Sequence, residues 1–155
     1  MTDTLDDVLP SARDCQKIAA QREAEKAAEY MRARRTAEDE KKSLLDKLEK
    51  PSGVSDEERM KRAGAIIRRA VSNGLSEVEV ARFPNQMTTD RGRAINQQEP
   101  GWEDTLKGLP RELFQFWKVH LQPKGYRIKF QIADWPNGMP GDFSITLSWG
   151  DAGQT

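Results

Sequence analysis

The chain of 155 residues contains one cysteine, Cys15, and one histidine, His120. A single cysteine cannot close an intrachain disulfide, and one Cys with one His does not supply the clustered ligands of a zinc or transition-metal site. Net charge is also missing. Lys and Arg number 25 against 25 Asp and Glu, and the two signs are mixed along the chain. Nucleic-acid or membrane-surface binding usually leaves a basic excess or a basic block, and neither is present. No apolar run approaches the roughly 18–20 residues of a membrane helix, and the first residues are acidic, unlike a signal peptide. The expectation is a cytoplasmic protein with no cofactor and no membrane partner.

Large apolar residues are scarce in one region rather than throughout. With 36% hydrophobic and 32% charged residues the whole chain is too polar for one globule. Residues 1–62 hold few large apolar side chains, whereas all four tryptophans lie from Trp102 onward. The length fits one small domain plus an extension.

Glycine and proline are absent from Ala12 to Glu49, a stretch dominated by Ala, Glu, Lys and Arg, all strong helix formers. After a disordered acidic arm (1–10), Ser11 is placed to cap a long charged helix over 11–50, a rod of about 57 Å at 1.5 Å per residue. Its apolar positions form a thin and irregular heptad. A solvated single helix competes there with a weak coiled coil or a partner-docking arm, and only Leu44, Leu45 and Leu48 look able to dock firmly.

Pro51-Ser52-Gly53 marks the boundary to a small domain over 55–149. Ser55-Asp56-Glu57-Glu58 fits a capping box. The helix it opens has an apolar face of Met60, Ala63, Ile66, Ile67, Ala70 and Val71, a stop at Asn73-Gly74, and Arg59, Lys61, Arg62, Arg68 and Arg69 on its back. Val78–Phe83 reads as a strand ended by Pro84. Asp90 is placed to cap a short helix through 91–96, although Gly92 weakens it. A last helix is expected from Trp102 to Leu121, with a break near Gly108 and Pro110, carrying Leu113, Phe114, Phe116, Trp117, His120 and Leu121.

The densest β signal is at the end. Tyr126, Ile128, Phe130 and Ile132 alternate with Arg127, Lys129 and Gln131, and Phe143, Ile145, Leu147 and Trp149 alternate with Ser144, Thr146 and Ser148. Period-two alternation marks half-buried strands with one wet face. The loop between them is broken by Pro136, Gly138, Pro140 and Gly141, and residues 150–155 read as a disordered tail. The expected fold is therefore α+β: a long charged N-terminal helix, then about three antiparallel or mixed strands covered by two amphipathic helices.

The phrases DRGRAIN, EPGW, TLKG, PKGY, WPNGMPGD and LSW, spread over about residues 78–149, give the C-terminal half a texture that resembles small uncharacterised bacterial proteins. The resemblance implies that residues 78–149 act as one unit and brings no activity with it.

Candidate sites are few. His120 reads as a packed or half-exposed member of an aromatic helix face, and Cys15, on a charged helix, lacks the base and enclosed pocket of a nucleophile. Asp134 and Asp142 flank the last loop, where aspartates more often hold turns than share acid–base work. Arg91, Arg93 and Asn96, with Arg82 on the preceding strand, form the most specific polar set. They are placed either to grip a phosphate or carboxylate or to pair with Asp90, Glu99 or Asp104. The loop residues Trp135, Asn137 and Met139 offer a protruding tip, and an aromatic there suits a protein-binding anchor. The leading expectation is a non-enzymatic interaction or adaptor module, its partner another protein or, through residues 11–50, a second copy. Nucleic-acid binding through the arginines is the alternative, and a small enzyme is the third reading.

Overall fold

A computed structural model describes residues 8–150. Most of the acidic arm expected over 1–10, and all but the first residue of the tail expected over 150–155, lie outside the described residues. Helix α1 (Ala12–Glu49) runs unbroken for 38 residues. Ser11 caps it by accepting the Asp14 N–H at 3.1 Å. None of its residues is buried, and Ile18, Tyr30, Met31 and Leu44 are exposed at spacings that share no heptad seam. Arg34 and Glu38 pair at 3.3 Å one turn apart, an interaction worth a few tenths of a kcal/mol on an open helix, about 0.2–0.5.

The chain divides into two compact units, residues 1–44 and 45–155. The last turn of α1 belongs to the second unit, where Leu45 and Leu48 pack against the main core.

Helix α2 (Asp56–Ser72) starts as its sequence dictates, with the Glu58 N–H donating to Ser55 Oγ at 3.1 Å. Only half of the capping box forms, because the Glu58 carboxylate pairs forward with Arg62 at 2.9 Å. The helix ends in a Schellman turn. The Leu75 N–H reaches the Ala70 carbonyl at 3.0 Å and the Gly74 N–H the Val71 carbonyl at 3.0 Å, with Gly74 left-handed at φ +76°. The buried stripe is narrower than expected. Ile67 and Ala70 are buried with Met60 and Ala63 beside them, while Ile66 and Val71 are 39% and 53% exposed.

Strand β1 (Glu77–Phe83), β2 (Arg127–Ile132) and β3 (Phe143–Ser148) form one antiparallel sheet in the order β1-β3-β2. The third strand thus joins the hairpin on the β3 side and leaves β3 in the middle. The register of β1 slips between Glu79 and Ala81. At this bulge Val80 and Ala81 both pack on the main core, which is why V-E-V-A-R-F is apolar at two adjacent positions without losing its faces. Phe83, Phe130 and Phe143 meet across three strands, with ring centroids 5.8 and 6.0 Å apart. The opposite face carries cross-strand rows Glu77·Ser148·Arg127, Glu79·Thr146·Lys129 and Arg82·Ser144·Gln131.

Helix α3 (Arg93–Gln97) is short. Asp90 caps it, its two carboxylate oxygens taking the Gly92 and Ala94 N–H groups at 3.2 and 3.0 Å. Gly92 is left-handed and precedes the helix, so it does not weaken it.

The helix expected over 102–121 is in fact two elements. Residues Trp102–Thr105 make a 3-10 turn, and Leu106 is extended and bridges to Thr88. Helix α4 (Gly108–Phe116) starts afterwards and passes into a wider π turn at Trp117–Leu121. The cause lies at Gly108, whose φ of +52° cannot continue a right-handed helix. Pro110 then sits in the first turn of α4, where its missing N–H costs nothing. Phe114, Phe116 and Leu121 are buried, so α4 and α2 are the two helices over the apolar face of the sheet.

Candidate functional site

The loop joining β2 to β3 is fixed at its base. Asp134 Oδ1 accepts the Asp142 N–H at 2.6 Å and the Asp134 carbonyl accepts the Gly141 N–H at 2.9 Å. A side chain at Gly141 would collide with the Asp134 carboxylate and the Pro136 ring. From β1, Arg82 reaches Asp142 at 3.3 Å and Asp134 at 3.5 Å, and Asn85 Nδ2 donates to the Pro140 carbonyl at 2.7 Å. Asp134 and Asp142 therefore staple a turn and share one guanidinium. Beyond the staple the chain makes a 3-10 turn over Pro136–Gly138, with Asn137 left-handed at φ 55°. The tip holds Trp135 at 51% and Met139 at 66% exposure.

The arginine set is not one ion-pair network. Arg82 belongs to this loop base, while Arg93 pairs with Glu99 at 2.9 Å. Arg91 and Asn96 are exposed, Arg91 in a left-handed conformation at φ 57°. Arg68 and Arg69 are exposed on α2, whereas Arg127 and Lys129 stand on β2.

A polar cleft elsewhere in the C-terminal unit was not legible in the sequence. Between the 49–59 segment and the outer side of α4 lies an open cleft of about 550 Å³. Arg59, expected on the solvated back of α2, turns inward instead: its side chain is 12% exposed. Its Nη2 donates to Ser52 Oγ at 2.9 Å and to Glu112 Oε2 at 3.3 Å, and its guanidinium lies 5.9 Å from the centre of the Phe116 ring. Ser52 N–H donates to Glu112 Oε1 at 3.2 Å. No spacing rule joins residues 53 or 60 positions apart, so sequence reasoning had no signal for this set.

His120 lies in the same cleft, its Nε2 3.2 Å from Asp56 Oδ2, and its ring 5.1 Å from that of Phe116. Ser52, His120 and Asp56 thus line one cleft, yet they are not a nucleophilic triad. Ser52 is held by Arg59, and no hydrogen bond joins it to His120 among the described residues. The Ser52 hydroxyl instead meets the Glu112 carboxylate, whose pKa is lowered and which is therefore a poor base for a nucleophile. No group of three or more His, Cys, Asp or Glu is placed to hold a metal among the described residues. No helix among them is long and apolar enough to cross a membrane.

Burial pushes the Glu112 carboxyl up, but the Ser52 hydroxyl and backbone N–H and the Arg59 hydrogen bond and charge outweigh it, so its pKa falls below 4.5. A carboxylate with a lowered folded pKa contributes stability in full above its unfolded pKa and loses it as pH falls through the folded value. Glu112→Gln should therefore cost up to about 1 kcal/mol near neutral pH, the range of a partly exposed pair. Thermal melts should bring variant and wild type together as the pH drops to about 3, below the usual carboxylate range. A gap that stays constant with pH would remove this assignment. No protein-family model, curated protein or solved structure matches the chain.

Proposed function

We propose that this protein is a non-enzymatic interaction module that presents the 134–142 loop to another protein. One observation carries the reading: the loop is clamped at its base by Arg82, Asp134 and Asp142, yet its tip leaves a tryptophan and a methionine in water. A large aromatic held in a fixed position loses little entropy on docking, which is the property of an interface anchor. Helix α1 supports the same class of function. It is long, charged and without a buried residue, and so suits a spacer or a second contact surface better than a core element.

The test compares wild type with Trp135→Ala/Met139→Ala in quantitative pull-downs from cells. The tip is exposed, so the double variant should melt within about 0.5 kcal/mol of wild type. Specific partners should be lost at least tenfold, about 1.4 kcal/mol. Partners that persist both in this variant and after deletion of residues 1–44 would defeat the proposal. Light scattering on the full chain separately reports self-association through α1.

A further inference from the structure

A second concavity adjoins the polar cleft. It measures about 250 Å³ and lies beneath α2 and α4 on the apolar face of the sheet. Its position explains why the core falls into two clusters, one around Phe143 and one around Ile67, Phe116, Leu121 and Leu147. Val80, Trp117 and Ile128 pack against both clusters, and all three line the space between them. Ala63 and Ile66 of α2 line it from above. A small residue at 63 leaves room that a larger one would fill.

Ser52, Val54, Arg59 and Phe116 line both this apolar space and the 550 Å³ polar cleft. Arg59 thus stands in the wall shared by an apolar concavity and a polar one. It spends Nη2 on Ser52 and Glu112, and its Nε and Nη1 form no hydrogen bond among the described residues. The other charges at the junction are mostly offset. Glu112 pairs with Arg59, Arg62 with Glu58 and Glu49 with Lys107. Asp56 lies in the first turn of α2, where free N–H groups favour an anion, and faces His120. Arg111 lines the cleft with no ion pair among the described residues.

We infer that the apolar concavity, with Arg59 at its rim, forms a binding site for a small amphipathic carboxylate. The carboxylate accepts a single bond from the unused Nε–H or Nη1–H of Arg59, and the tail enters the space beside Ala63. A 150 Å³ apolar cavity accepts benzene, so 250 Å³ has room for about ten carbons, a medium-length alkyl chain or a fused aromatic ring pair. A charge-assisted bond from one guanidinium N–H is shorter and about twice as strong as a neutral one, which favours a carboxylate head over a hydroxyl.

The test uses the full chain with three probes, octanoate, octanol and acetate, monitored by NMR chemical shifts and thermal melting. Octanoate should bind saturably, shift the resonances of Ala63, Trp117 and Ile128, and raise the melting temperature. Octanol should bind at least tenfold more weakly, and acetate should leave the apolar resonances unmoved. Ala63→Leu, which fills the tail space, should abolish the octanoate response while the protein stays folded. Arg59→Gln removes the positive charge, and should weaken octanoate about tenfold without changing octanol. The proposal fails if octanoate gives no saturable shift at about 10 mM, if Ala63→Leu binds as wild type does, or if octanol equals octanoate. None of these outcomes bears on the Trp135 loop.

Discussion

Phe143→Ala is expected to destabilise the C-terminal unit by about 3–5 kcal/mol, the range for emptying a phenylalanine site in a core. Phe143 is wholly buried on the central strand, opposite Phe83 on one side and Ile132 on the other. Its ring also stacks near Phe130 at 6.0 Å. Both edge strands therefore depend on one side chain, and truncation leaves a hole that neither edge can close by shifting alone. Domains of this size hold about 5–15 kcal/mol in total, so the variant should lose between about a fifth and all of its stability. Urea unfolding followed by tryptophan fluorescence would measure it. A loss under about 1.5 kcal/mol would mean that the sheet repacks around the gap and that Phe143 is not its centre. Phe143→Leu should recover much of the loss, because volume-conserving apolar changes cost less than about 1.5 kcal/mol.

That dependence was readable in advance to a fair degree. The period-two alternation of 126–132 and 143–149 specifies two strands and their buried faces, and both formed as expected. Helix α1 was equally legible, since a long run of Ala, Glu, Lys and Arg without glycine or proline favours helix over strand. What could not be read is what depends on long-range partners. The bulge at Val80 needs β3 opposite it before it has meaning. The inward turn of Arg59 needs Glu112, which is distant in sequence and lies on an element whose start was placed too early. The polar set Arg82, Arg91, Arg93 and Asn96 looked like a cluster because its members are close in sequence. In the fold two of its members find different partners, Arg82 at Asp134 and Asp142 and Arg93 at Glu99. Local pattern reports faces and caps, and says little about which charges find each other.

Gly108 shows the same point in energetic form. Its sequence context, a glycine two positions before a proline, reads as a break within a helix over 102–121. In the folded chain it is left-handed at φ +52°, and a methyl group there would press into the Leu48 carbonyl group and lie 2.8 Å from Glu49 Cα. These are backbone atoms and cannot swing aside as a long side chain can. They belong to the turn of α1 whose Leu45 and Leu48 pack on the core. Gly108→Ala therefore combines a left-handed penalty of about 1–2 kcal/mol with an overpacking cost of about 1–3 kcal/mol. Gly74→Ala isolates the first of these, because Gly74 is left-handed at φ +76° with nothing within 4 Å of an added methyl. The pair of variants should differ by about 1–3 kcal/mol, or roughly 4–20 °C in melting temperature for a unit of this size. Hydrogen exchange distinguishes the causes. In Gly108→Ala the amides of residues 45–49 should lose protection as that turn lifts from the core, and in Gly74→Ala they should keep it. Equal melting temperatures and equal exchange in the two variants would show that the close approach of Leu48 to Gly108 does not hold that turn in place.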